Sequence, residues 1–129
     1  MNVHRAAGAT CDGVAMPAVG ALVADNALQR AARDHAVDMA TYDYFSHTGR
    51  DGSMPWQRFA AAGYTGPSPW GENIAAGRST AAAAVQGWME SPPHCRNIMN
   101  ADFGRLGVGY AYGPQSTYRH YWVQAFGGR

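Results

Sequence analysis

Between Arg105 and Gly113 the chain reads RLGVGYAYG, and this alternation restricts the possible folds more than any other stretch. Successive side chains of a strand point to opposite faces. Leu106, Val108, Tyr110 and Tyr112 therefore share a bulky face, and Gly107, Gly109, Ala111 and Gly113 a nearly bare one. In the following run, YRHYWVQAFGG, both faces carry bulk, with Tyr118, His120, Trp122, Gln124 and Phe126 opposing Arg119, Tyr121, Val123 and Ala125. The intervening GPQST is rich in turn formers, so the two runs are expected to form an antiparallel hairpin.

Helical patterns dominate the earlier chain. Asp25 is placed to cap a helix in which Leu28, Ala31, Ala32, His35, Ala36, Met39 and Ala40 recur at helical spacing. His35 on that apolar stripe reads as a core or boundary histidine with a hydrogen-bonded ring. In MPWQRFAAAGY, Ser53 is expected to cap a second helix with Pro55 in its first turn, and Gly63 to end it. Ser79 or Thr80 caps a third. Pro92 and Pro93 force that helix to stop by Ser91, since a proline inside it would remove a backbone donor and clash with the preceding turn. Ser91 can cap a short fourth helix with Pro92 at its first position, so the prolines form a corner between helices. Helices before and between short strands predict an α+β layer arrangement.

The 129 residues fit one domain, residues 1–129, with a single core. The opening MNVHRAAGATCDG reads as the tail of a helix running into a loop, so a truncated N-terminal helix or a removed leader is expected. A formal charge of +1 spread over scattered arginines provides no basic stripe for nucleic acid. No apolar run approaches the ~20 residues that span a bilayer. Cys11 and Cys95 are the two cysteines, too few for a four-cysteine zinc site and not a Cys-x-x-Cys pair. A long-range disulfide, with export to an oxidising compartment, is preferred over two free thiols. The aromatics Trp70, Trp88, Trp122 and Tyr110 read as core.

There is no lysine, and of nine acids only Glu72 and Glu90 are glutamates. These lie in WGENIA and WMESPPH, and His47 in FSHTG and His94 in SPPHC join them as groups held beside structural breakers, where sites concentrate. Imidazole nitrogens with carboxylate oxygens suit zinc or another borderline divalent ion, and a glutamate can act as base to a bound water. Serine triads drawn from Ser46, Ser53 or Ser91 lack a Gly-x-Ser-x-Gly elbow. Cys95 is a nucleophile candidate only if it is not in a disulfide.

Five ordered motifs, HAVDMATYDYFSHTGRDGS, GENIAAG, GWMESPPHCRNIM, FGRLGVGYA and YWVQAFG, resemble bacterial members of the CAP superfamily, which unites cysteine-rich secretory, antigen-type and pathogenesis-related proteins and is also called the SCP domain. The resemblance implies a three-layer α-β-α sandwich around a small, mainly antiparallel sheet, in a secreted or periplasmic protein. It also implies a cleft in which His47, His94, Glu72 and Glu90 surround a divalent metal, zinc foremost. The multi-cysteine pattern of eukaryotic members is absent. A binding or defence-type module with an unidentified small ligand, lipid or peptide in the cleft is expected. The alternative is a metal-dependent hydrolase, a peptidase, with Glu72 or Glu90 as catalytic base.

Overall fold

The computed structural model describes all 129 residues. In chain order the elements are α1 (Asn2–Ala7), β1 (Ala9–Cys11), β2 (Val14–Met16), β3 (Val23–Ala24), α2 (Asn26–Tyr42), α3 (Pro55–Ala61), β4 (Gly71–Ala76), α4 (Ala81–Met89), α5 (Pro92–Ile98), β5 (Phe103–Tyr112) and β6 (His120–Gly128). β1 and β2 form a small hairpin of their own, where the sequence suggested a loop. The main sheet has the order β3-β5-β6-β4. The predicted hairpin is β5–β6, antiparallel with Tyr110 opposite Trp122, and β4 pairs antiparallel with the other side of β6. Only the two-residue β3 runs parallel, against Arg105 and Leu106.

Alternation along β6 divides the core into two layers. Tyr121, Val123 and Ala125 pack with the α2 stripe, Phe59 and Ile74, whereas Trp122 and Phe126 pack with Trp88, Cys95, Ile98 and Phe103. The sheet thus lies between α2 with α3 and α4 with α5, the three-layer α-β-α sandwich. α2 buries all seven residues of its predicted stripe, and the Asp25 carboxylate accepts from the Leu28 N–H at its start. The bare face of β5 is what lets α2 approach so closely. A Cβ built at Gly107 would lie 2.1 Å from the Leu28 backbone, and one at Gly109 would lie 2.3 Å from that of Ala32. No real Cβ tolerates either distance, so glycine there sets the spacing of helix and sheet.

The caps differ in detail from expectation. Met54, not Ser53, precedes α3, and the Gln57 side chain accepts from the Met54 N–H. Thr80 caps α4 by accepting from Ala83 N–H. Ser91 precedes α5, but its hydroxyl makes no cap bond there. Trp88 and Trp122 are buried as expected, whereas Trp70 and Tyr110 are exposed at 48% and 41%. Cys11 and Cys95 form a disulfide within the second core layer, tying β1 to α5 across 84 positions. No helix is long and apolar enough to cross a membrane.

Candidate functional site

β4 is an edge strand, and its alternation sends neighbouring residues in opposite directions. Glu72 points to the α3 side. Its side chain is nearly inaccessible, and both carboxylate oxygens are committed: Oε1 accepts from His47 Nδ1 at 2.8 Å and Oε2 from Arg58 Nη2 at 2.9 Å. A buried carboxylate is tolerable only when paired in this way. Arg58, on α3, also donates to the Ser53 carbonyl and so holds the loop that follows His47.

Asn73 addresses the opposite face and is fully buried. Its amide donates to the backbone carbonyl of His94 and to Gln124 Oε1, and its Oδ1 accepts from Asn97 at 2.9 Å. An asparagine inside a strand is unfavourable unless its amide finds partners. Here those partners fix α5 against β4. His94 sits in the first turn of α5, and its Nδ1 shares a 2.7 Å hydrogen bond with the Ser91 hydroxyl, which explains the missing cap. Burial first, and the proximity of His47 second, hold His94 below the usual imidazole range. The two histidines thus flank the β4 edge, one from each layer, near enough for the charge of His47 to act on His94.

Glu90 stands apart from these groups. It closes α4 as an exposed residue and accepts from Gln86 one turn earlier. No three His, Cys, Asp or Glu side chains converge closely enough to hold a metal among themselves. For the hydrolytic alternative, both Glu72 oxygens are already hydrogen-bonded within the protein and neither is free to meet a water, which leaves Glu90. Sequence reasoning overlooked Arg58, Ser91 in its role toward His94, and Asn73. The signal for Asn73 was its position beside Glu72 in a strand otherwise built of apolar and small residues.

His35 behaves as the sequence suggests. It is buried, and its Nε2–H donates to the Ser46 carbonyl at 2.8 Å, bracing the turn that carries His47. Desolvation pushes its basicity down, as does Arg58 to a lesser degree. The unfolded chain therefore binds protons at His35 and His94 that the folded protein refuses. Their contribution to stability is complete above about pH 6.5 and declines as pH falls below it, by up to ~1.4 kcal/mol per pH unit for the fully buried His35. Urea midpoints measured from pH 7.5 to 5 should show this slope, and His35→Gln should flatten it. A midpoint independent of pH in that window would contradict the account.

The three-layer sandwich is an SCP-type fold. The family model described as "Cysteine-rich secretory protein family" matches residues 1–126, and the chain belongs to that CAP family. It is 33% identical over 105 residues to the uncharacterized protein YkwD of Bacillus subtilis, covering 81% of this chain and 38% of that one. Among solved structures it is similar to an extracellular protein containing a SCP domain from Bacillus anthracis, with a TM-score of 0.75, 32% identity, and coverage of 86% of this chain and 35% of that one. It also shares the fold of an outer surface protein from Borrelia burgdorferi, with a TM-score of 0.75, 23% identity, and coverage of 86% of this chain and 80% of that one. The chain thus spans little more than a third of the length of the first two relatives.

Proposed function

We propose that this chain is an extracellular binding module that takes up a divalent metal, zinc foremost, on Nε2 of His47 and Nε2 of His94. The observation that carries this reading is that both imidazoles are already bonded through Nδ1, His47 to Glu72 and His94 to Ser91. Toward the Glu72 carboxylate the His47 Nδ1 must donate, which leaves Nε2 as a free lone pair and fixes the ring; the Ser91 hydroxyl can accept from His94 Nδ1 in the same way, the arrangement that supports ligating histidines. The donor set fits a two-imidazole site whose remaining positions are open to water or an incoming ligand. Glu72 acts on His47 as a positioning residue, held by Arg58. The metal would supply a Lewis-acidic point of attachment for an oxygen or nitrogen of the ligand. The placement outside the cell rests on the disulfide and on the likeness to extracellular and outer-surface relatives.

Titration calorimetry with zinc tests the reading. The double variant His47→Ala, His94→Ala should lose zinc uptake, and Glu72→Gln, which removes the carboxylate behind His47, should weaken it by about 10- to 100-fold. Melting temperatures recorded in parallel separate loss of ligand from loss of fold. Equal zinc uptake by wild type and the folded double variant would overturn the assignment.

A further inference from the structure

β5 is ten residues long, yet its outer neighbour β3 covers only Arg105 and Leu106. The backbone directions along the rest can be worked out residue by residue. Gly113 N–H donates toward β6, to the Arg119 carbonyl. On the outer side, the Leu106 carbonyl accepts from Asp25 N–H, and both backbone groups of Val108 are bonded to the side-chain amide of Gln29. Even-numbered residues therefore present N–H and C=O outward, and Gln29 fills the place of a neighbouring strand for one residue pair. Beyond it, the N–H and C=O of Tyr110 and Tyr112 face outward with no partner in the molecule.

Such an edge is usually blunted by lysine, proline or a bulge. None of these occurs at Tyr110–Tyr112, and the irregularity in β5 lies at its other end, between Phe103 and Arg105. Instead the edge is flanked by exposed rings. Tyr110 packs on Trp122 at 4.3 Å between centroids, and Tyr112 packs on His120 at 5.1 Å. The edge runs directly into a cavity of about 330 Å³ between the end of α2 and the turn after β5, lined by Ala40, Thr41, Asp43, Tyr112, Gln115 and Ser116 among others. Asp43 is the sole charged residue lining it. Its carboxylate accepts from the N–H and hydroxyl of Thr117, which keeps it ionised.

We propose that the outer edge of β5 at Tyr110–Tyr112 is a docking site for an extended peptide segment, which adds as a fifth strand and places a basic side chain in the cavity beside Asp43. Main-chain bonds to Tyr110 and Tyr112 supply register, and the cavity supplies selectivity. On the α2 side the segment is given small residues, since the helix backbone lies close over the same face of β5 at Gly107, Gly109 and Gly113. On the other side it meets the aromatic rings. The site is independent of His47 and His94.

The probes are two blocked pentapeptides, acetyl-Lys-Val-Ala-Val-Ala-amide and acetyl-Ala-Val-Ala-Val-Lys-amide, one for each strand direction, with alanine on the face turned to α2. In the free protein, the amide protons of Tyr110 and Tyr112 should exchange fast while those of Gly109 and Ala111 are protected. Added peptide should shift and protect the two tyrosine amides. Methylating the peptide nitrogens of one alternate set should weaken binding about five- to ten-fold, with little effect from the other set. Replacing lysine by glutamate should weaken it further. The proposal is overturned if the two amides are protected in the free protein. It is equally overturned if neither peptide binds at several millimolar, if both methylation patterns act alike, or if the shifts fall around His47 instead.

Discussion

Reduction of the Cys11–Cys95 bond is expected to lower the stability of the protein by about 4 to 5 kcal/mol, the loop-closure entropy restored to an unfolded chain freed of a link across 84 positions. Because small domains are stable by only ~5–15 kcal/mol, this is a large share of the total. The bond also joins β1 to α5, the helix whose first turn carries His94. A double Cys11→Ala, Cys95→Ala variant should therefore show weaker zinc binding alongside a lower urea midpoint. Reductant added to wild type should reproduce the stability loss without any change of sequence. A midpoint unmoved by reductant, with both thiols confirmed free by alkylation, would refute the expectation.

Arg5 is the other position of large effect. It is fully buried without a carboxylate partner. Its guanidinium donates instead to four backbone carbonyls: Gly20 at 2.7 Å, Ile98 at 2.8 Å, Asn100 at 2.9 Å and Phe103 at 3.0 Å. Burial pulls its pKa below the usual guanidinium range, with the Arg129 charge adding to the effect. The planar fork of donors is what reaches three separate segments at once: the chain after β2, the exit of α5 and the start of β5. Arg5→Met keeps most of the apolar stem but leaves those carbonyls buried and unpaired, and should cost about 3–5 kcal/mol. Arg5→Lys should recover only part of this, because a single ammonium cannot serve all three segments. A loss under ~1 kcal/mol for the methionine variant would show that water replaces the guanidinium at little cost.

What the sequence made legible follows from how local each signal is. The α2 stripe was readable to the residue because period and cap are properties of one segment, and the β5–β6 hairpin because its alternation and turn lie in one run. His47, Glu72 and His94 were reached through ordered motifs rather than spacing, since they come from a loop, a strand and a helix that lie far apart in the chain. Arg58, Arg5 and the Ser91–His94 bond were not legible, because an arginine or serine gives no local sign that its partner lies in another element or has displaced a helix cap. Cys11 looked like a loop residue because three-residue strands such as β1 are too short for a pattern to emerge.

The division of labour between Glu72 and Asn73 constrains how this domain can vary. One residue serves the layer of α3 and His47, the next serves the layer of α5 and His94, and the assignment depends only on the parity of each position along β4. Inserting or deleting a single residue ahead of Glu72 without re-registering the strand would exchange the two, turning a carboxylate toward amide partners and an amide toward Arg58. Length changes at this edge should therefore be tolerated in pairs or accommodated by a bulge. The contacts made to the two layers at this edge are in this sense encoded as one dipeptide and can be inherited only together.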